Sequence, residues 1–255
     1  MEVDKKMITY RTLSVIVDGE KQQINFGSPN TPEELEQIYR LRYEEYSRRD
    51  YIDQNKFSNG FERDEYDGNG SCVYFIAKWK DKIIGTIRLI QKTPLPTEQA
   101  FTFSEPPNII SIPPENRAEF GRFIIVPLDK KSGKYLPRGL VMIMMFNVML
   151  QYCLDHQIKG GYSFIKQTLA EKMKRLHAPI HFITPYKQTY PGGGILYKYF
   201  SQPSDPVLPI SFVTNEFKTY LQNILNKKSI FEIENNNITF RNTWYTKLLR
   251  ILKIL

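Results

Sequence analysis

The chain has 255 residues, of which 41% are hydrophobic and 13% aromatic, and its formal net charge at pH 7 is +8. This composition excludes an intrinsically disordered protein, and the length suits one large domain. The two cysteines, Cys72 and Cys153, form no CxxC pattern, and Pro179 separates His177 from His181. We therefore expect no disulfide framework and no metal site. The N-terminus lacks the apolar segment of a signal peptide, so we expect a cytoplasmic protein.

The first predicted elements are a β-hairpin and a long helix. Residues 13–26 alternate around an Asp-Gly pair, which is typical of a hairpin. Thr31 and Glu34 fit a capping box, and Pro32 fits the first helical position. A helix is therefore predicted over about 32–49.

A second hairpin and a charged strand come next. Residues 71–79 and 82–90 are predicted to form two antiparallel strands. Prolines, threonines and serines fill residues 91–118, which we interpret as an excursion without regular structure. The segment EFGRFIIV, 119–126, is then predicted to form a strand with a glutamate and an arginine near its beginning.

The second half of the chain mixes helices and strands. The apolar run 139–154 is too short to span a bilayer and predicts a buried helix beginning near Arg138. Beyond it the sequence predicts a strand at 160–165, a helix at 166–177, a strand at 180–184, a segment rich in proline, glycine and tyrosine at 185–212, a helix at 214–226 and a short strand at 229–240. This order predicts an α/β domain with a mixed, largely antiparallel sheet.

The last fifteen residues carry apolar side chains on one helical face and basic side chains largely opposite. Docking on the domain, contact with a partner and peripheral contact with a membrane surface all stay open for this segment. The expected organisation is an N-terminal hairpin over 1–30 packed on the core, a domain over 31–240 and an amphipathic helix over 241–255.

Several charged residues interrupt the apolar faces of the predicted elements. Arg42 stands on the buried stripe of the first helix, and Arg88 shares a strand face with apolar neighbours. An arginine cannot shed its charge, so each needs an acidic partner. Asp64 and Asp67 would both face inward if their loop formed one helical turn.

Glu119 and Arg122 complete this charged set. Residues three apart in a regular strand point to opposite faces, so we predict a β-bulge at Gly121 that brings both side chains to one face. A purely structural network of ion pairs is the alternative interpretation.

The segments LRYEEY, ERDEYD, IGTIRLI and EFGRF, in this order, resemble the acyl-homoserine-lactone (autoinducer) synthases and their relatives, the long-chain N-acyl amino acid synthases. Both belong to the GNAT acyltransferase superfamily. The resemblance runs from about residue 35 to 126 and implies a GNAT-like α/β fold, with a mixed, mostly antiparallel central sheet flanked by helices. It implies an N-acyltransferase that moves a fatty acyl chain from an acyl carrier protein thioester to the amine of an amino acid.

The same resemblance assigns roles to residues. Glu119 and Arg122 would be catalytic, with Glu119 as the base. The acceptor would be bound by Arg42, Tyr46, Tyr51, Asp64, Asp67 and Arg88. The donor phosphate would meet the basic loop before a helix N-terminus, at Lys131, Lys134 and Arg138. No tightly bound cofactor is implied, and acyl-phosphopantetheine, on a carrier protein or as acyl-CoA, is the co-substrate.

Departures from the family pattern decide between its branches. Autoinducer synthases usually carry Phe and Trp where this chain has Tyr46 and Tyr51, which favours an amino acid as acceptor. The usual GNAT pyrophosphate signature is absent, which favours an acyl carrier protein, an acidic partner that a basic protein attracts. The alternatives are an acyl-homoserine-lactone synthase using S-adenosylmethionine and a non-enzymatic binding module for nucleic acid or a membrane surface.

Overall fold

The computed structural model describes residues 7–17, 20–126, 138–227 and 230–240. The strands are β1 (Ile8–Val17), β2 (Glu20–Ser28), β3 (Cys72–Trp79), β4 (Lys82–Ile90), β5 (Phe101–Phe103), β6 (Arg117–Ile125), β7 (Gly160–Lys166), β8 (Ile180–Phe182), β9 (Tyr186–Gln188), β10 (Val207–Val213), β11 (Phe231–Glu234) and β12 (Asn237–Phe240). The helices are α1 (Pro32–Arg48), α2 (Pro96–Ala100), α3 (Arg138–Asp155), α4 (Gln167–Arg175), α5 (Tyr197–Phe200) and α6 (Thr214–Leu225).

Ten of these strands form one sheet in the order β11-β12-β1-β2-β3-β4-β6-β7-β10-β8. The pairs β1–β12 and β6–β7 are parallel, and the other neighbours are antiparallel. The predicted α/β class, with a mixed and mostly antiparallel sheet, is confirmed. The predicted N-terminal hairpin, β1 and β2, joins this sheet through the pairing of β2 with β3.

Helices cover both faces of the sheet. The apolar helix α3 is buried with α6 against one face, as its composition predicts. On the other face α1 packs its buried stripe on β3 and β4, and Thr31 caps its first turn by accepting the Glu34 backbone N–H at 3.2 Å. In the part of the chain that the structure describes, no helix combines the length and apolarity needed to cross a bilayer.

The strands β6 and β7 diverge partway along their length. Their parallel pairing covers three residue pairs and ends at Glu119 and Tyr162. The Ser163 hydroxyl then donates to the Phe120 carbonyl at 2.8 Å. Further on, β6 pairs only with β4, and β7 pairs only with β10, among the described strands. The edges that β6 and β7 turn towards each other are therefore open.

Two segments contain more structure than the sequence predicts. Residues 91–118 hold α2 and β5, and residues 185–212 hold β9, α5 and β10. The expectation of irregular structure over 91–118 was wrong because proline is tolerated at a helix start, where Pro96 stands. Pairing of β5 with β9 joins the two segments. The predicted C-terminal helix over 241–255 lies outside the described residues.

Candidate active site

A cluster of buried ion pairs joins α1, the loop before β3, β4 and β6. Its members are Arg42, Arg88, Arg122, Glu62, Asp64 and Asp67. Arg42 donates to both carboxylate oxygens of Asp67, at 3.0 and 2.9 Å, and also contacts Glu62. Arg88 donates to Asp64 at 2.6 and 2.7 Å and to Asp67 at 2.6 Å. Both guanidiniums thus face two carboxylates.

The third arginine closes the cluster. Arg122 donates to Glu62 at 3.1 Å and to Asp64 at 2.8 Å. Its partner Glu62 is fully buried and was not among the predicted site residues, although it lies in the same acidic run. Three guanidiniums meet three carboxylates, so the formal charges of the cluster cancel.

The electrostatics of the cluster favour its ionised form. Burial opposes ionisation of Asp67, but the charges of Arg42 and Arg88 outweigh it, and the pKa of Asp67 falls well below its usual range. Burial likewise opposes ionisation of Asp64, yet Arg122 and Arg88 bring its pKa below the usual value. Asp64 and Asp67 therefore stay charged, as their buried contacts with guanidiniums require.

A tight turn, rather than the helical turn considered above, directs the two aspartates inward. The Asp67 backbone N–H donates to the Asp64 carbonyl at 3.1 Å, and the Asp64 N–H donates to the Asp67 carboxylate at 2.9 Å. The phenol of Tyr74, on β3, also donates to Asp67. The Tyr66 backbone N–H donates to the Asp64 carboxylate at 3.0 Å, so both carboxylates have hydrogen-bond donors besides the arginines.

The predicted bulge in β6 exists, but it lies at Arg122 rather than at Gly121. Between Gly121, which pairs with Arg88, and Ile124, β6 takes three steps while β4 takes two. Arg122 has φ 54°, in the left-handed region that costs a non-glycine residue about 1–2 kcal/mol. Its ion pairs offset this cost. The irregularity brings Arg122 to the same cavity that Glu119 faces.

A cavity of about 350 Å³ opens where β6 and β7 diverge. Polar and aromatic side chains line one part: Arg88, Glu119, Arg122, Lys166, Tyr46, Tyr51 and Tyr199. Apolar side chains of β6, α3 and α4 line another part: Phe123, Met142, Phe146, Leu169 and Met173. The cavity thus joins a charged region to an apolar one.

Glu119 is the buried acid of this cavity, with 2% of its surface exposed. The Thr97 backbone N–H, from α2, donates to its carboxylate at 2.6 Å. Burial raises the pKa of Glu119 to about 8, against the smaller opposing effects of Thr97 and the charge of Arg88. The predicted excursion, through α2, therefore supplies a contact to the predicted base that the sequence did not reveal.

The aromatic residues Tyr46 and Tyr51, which the sequence predicts as acceptor contacts, line the cavity. Their ring centroids lie 6.1 Å apart, and the Arg122 guanidinium carbon lies 5.9 Å from the Tyr46 ring. Tyr199, which was not predicted, packs edge-on against Tyr51 at 4.9 Å. These rings form one wall beside the charged residues.

The other predicted acceptor residues divide into two groups. Arg88 lines the cavity, whereas Arg42, Asp64 and Asp67 lie behind it. The two aspartates hold Arg88 and Arg122, and Arg42 in turn donates to Asp67. They would reach an acceptor only through those two arginines.

The side chains predicted to contact the donor fall outside the part of the chain that the structure describes. Lys131 and Lys134 lie outside the described residues, and of Arg138 only the backbone, at the start of α3, is described. The next residue, Gly139, lines the cavity. Their role in binding a donor phosphate stays a prediction.

Solved structures of other proteins resemble the fold of this chain. Among solved structures, the acyl-homoserine-lactone synthase LasI is similar to this chain with a TM-score of 0.52 and 15% identity, over 78% of this chain and 94% of LasI. BjaI, a CoA-dependent acyl-homoserine lactone synthase solved with SAM and isopentyl-CoA, has a TM-score of 0.50 and 14% identity, over 94% of this chain and 99% of BjaI. These likenesses concern the fold, which this chain shares with the acyl-homoserine-lactone synthases.

Sequence comparisons identify the family. A search of curated proteins gave no match. The family model described as "N-acyl amino acid synthase FeeM" matches residues 37–182, which is more than half of the chain and contains the whole charged cluster. The chain therefore belongs to the FeeM family of N-acyl amino acid synthases and is an acyltransferase that makes N-acyl compounds.

Proposed function

We propose that this enzyme transfers a fatty acyl chain from the thioester of an acyl carrier protein to the amine of an amino acid, with Glu119 as general base. One observation carries the proposal: the carboxyl group of Glu119 is buried in the cavity between β6 and β7, and its pKa is raised to about 8. A carboxylate with such a pKa is a far stronger base than an ordinary glutamate.

The acid–base chemistry matches the substrates. An amine attacks a thioester only as the free base, whereas the amino group of a free amino acid is mostly protonated at neutral pH. Ionised Glu119 takes one proton from the ammonium, directly or through water. The amine nitrogen then bonds to the carbonyl carbon, the C–S bond breaks, and the leaving thiolate takes the second nitrogen proton. No covalent enzyme intermediate is needed.

The donor side of the cavity suits an acyl-phosphopantetheine arm. The open strand edges of β6 and β7 offer backbone N–H groups that can hold the thioester oxygen as charge develops on it. The apolar side chains beside them, Phe123, Phe146 and Met173, suit the start of a fatty chain. A carrier protein fits as the donor because the chain is basic, with a net charge of +8, and carrier proteins are acidic.

Mass spectrometry of the products tests this proposal. The purified enzyme is incubated with a dodecanoyl thioester of acyl carrier protein and pooled amino acids, and in parallel with dodecanoyl-CoA. We expect N-dodecanoyl amino acids, formed faster from the carrier protein. Absence of N-acyl amino acids with both donors would contradict the proposal. A dodecanoyl homoserine lactone formed on addition of S-adenosylmethionine would instead support the alternative acceptor.

A further inference from the structure

One buried cation of the cavity stands apart from the ion-pair cluster. Lys166, at the end of β7, is 4% exposed and lines the cavity. Its ammonium group donates to the carbonyl oxygens of Tyr199 and, at 2.9 Å, of Asp205. An ammonium has three hydrogens, so one remains for a further acceptor.

The positive charge of Lys166 is poorly compensated within the protein. Its two hydrogen-bond acceptors are neutral carbonyls, and the nearby Asp205 carboxylate is engaged by the backbone N–H and the hydroxyl of Thr168, each at 2.9 Å. Burial lowers the pKa of Lys166 to about 8, and the charge of Asp205 opposes this only in part. A buried ammonium in such surroundings gains from an anionic partner.

The two arginines that line the cavity, unlike Lys166, are paired with carboxylates of the protein. Arg88 donates to Asp64 and Asp67, and Arg122 donates to Glu62 and Asp64. Because these charges cancel, a substrate carboxylate placed against the cluster would compete with carboxylates already bound. Lys166 carries the charge that the cluster cannot supply.

Lys166 also lies on the same face of the sheet as Glu119. Tyr162, four residues earlier on β7, is the partner of Glu119, and residues an even number apart share a strand face. The Lys166 nitrogen lies 4.5 Å from the Tyr199 ring and 5.3 Å from the Tyr51 ring, in the aromatic wall of the cavity. Glu119 and Lys166 therefore lie on the same face of the sheet and line the same cavity, with Phe164 between Tyr162 and Lys166 on that face of β7. The base is nearer the point where the strands diverge, and the cation lies beside the tyrosines.

We infer that Lys166 binds the carboxylate of the acceptor amino acid and thereby selects amino acids over simple amines. The inference rests on the proposed function and adds the residue that determines acceptor specificity. The acceptor would lie along the tyrosine wall, with its amine towards Glu119, directly or through water, and its carboxylate towards the remaining Lys166 hydrogen.

Paired acceptors with and without a carboxylate test this inference. The pairs are leucine with isopentylamine and 4-aminobutyrate with propylamine, supplied with a dodecanoyl thioester of acyl carrier protein. We expect the enzyme to prefer the carboxylated member of at least one pair by about tenfold or more in kcat/KM. In Lys166→Met this preference should disappear, because kcat/KM falls far more for the carboxylated member of the pair than for the plain amine. Lys174→Met, which removes an exposed lysine of α4, should retain the preference.

Two other outcomes contradict the inference, and a second variant covers the case in which the first does not fold. If Lys166→Met slows both members of a pair equally, the lysine only supports the loop at Tyr199 and Asp205. If Lys166→Met does not fold, Lys166→Gln replaces it, and the absence of a carboxylate preference in the unaltered enzyme already overturns the inference. If no acceptor is acylated, the proposed function fails. Calorimetric titration with leucine and 4-aminobutyrate then tests Lys166 separately. Equal binding to the unaltered enzyme and to Lys166→Met, or no binding to either protein, contradicts the role of Lys166.

Discussion

Glu119 is held in surroundings that oppose its ionised form, and this has a cost in stability. Its pKa in the folded chain is about 8, whereas the ordinary pKa of a glutamate is 4.5. The folded state therefore binds the proton more tightly than the unfolded state, and stability falls as pH rises from about 4.5 through 8. The free energy lost is about 1.4 kcal/mol per unit of pKa difference.

This cost yields a prediction for Glu119→Gln. The amide is neutral at every pH and similar in shape, so the variant should lose the alkaline decrease in stability. We expect its Tm at pH 9 to exceed that of the unaltered enzyme, and the difference to vanish near pH 5. Thermal melts followed by circular dichroism across this range provide the measurement. An equal Tm at pH 9 would show that the carboxyl group is not buried as described.

The ion-pair cluster links α1, a loop and two strands, and it acts at the scale of elements. Removing one charge leaves its partners buried without compensation, which typically costs about 3–5 kcal/mol. Asp67→Asn should therefore lower the free energy of unfolding by roughly this amount. Glu36→Gln, on the exposed side of α1, should change it by less than about 0.5 kcal/mol. Urea unfolding of the three proteins measures both values, and a small effect of Asp67→Asn would contradict the buried network.

The pH dependence of the cluster has the opposite sign to that of Glu119. The pKa of Asp64 and of Asp67 is lowered in the folded chain, so their contribution is fully present above the ordinary aspartate pKa of about 4 and is lost as pH falls below it. Asp67→Asn should consequently unfold at a higher pH than the unaltered enzyme in an acid titration. An identical acid midpoint would mean that this carboxylate contributes no such stabilisation.

The divergence of β6 from β7 can be tested by filling the space between them. A Cβ added at Gly121 meets no heavy atom within 4 Å, whereas one added at Gly161 would lie 1.7 Å from the Ala118 carbonyl oxygen. Gly121→Val should therefore fold with a Tm within about 4 °C of the unaltered enzyme, a change of about 1 kcal/mol at most, but lose most of its activity. Gly161→Ala should lose stability instead. Full activity in Gly121→Val would place the reaction elsewhere.

The whole molecule is basic, with a net charge of +8, and this bears on the choice of donor. Attraction between a basic enzyme and an acidic carrier protein weakens as salt shortens the Debye length from about 10 Å at 0.1 M towards 3 Å at 1 M. We expect the KM for acyl carrier protein to rise steeply with salt and the KM for a dodecanoyl-pantetheine thioester to change little. Parallel salt titrations of both donors measure this, and equal responses would contradict a carrier-protein surface.

Features that depend on local sequence patterns could be predicted from the sequence. Features that depend on contacts between residues far apart in the chain could not. Arg42, Arg88 and Arg122 were detectable because a charge on an apolar face demands a partner. Lys166 gave no such signal, because its environment comes from Tyr199, which lies 33 positions further along the chain. The contact from α2 to Glu119 was hidden for the same reason, and the bulge was misplaced by one residue because ion pairs, rather than a glycine, hold it.

The pH dependence of acyl transfer tests the central claim, that Glu119 is the base, most directly. Initial rates of N-acyl amino acid formation are measured between pH 6 and 10 for the unaltered enzyme and Glu119→Gln. The account predicts that kcat/KM rises through a pKa of about 8 in the unaltered enzyme. The variant should be slower by about 100-fold or more, and its rate should rise only at the higher pH where the acceptor amine loses its own proton. A Glu119→Gln variant with the same profile and a similar rate would contradict the account.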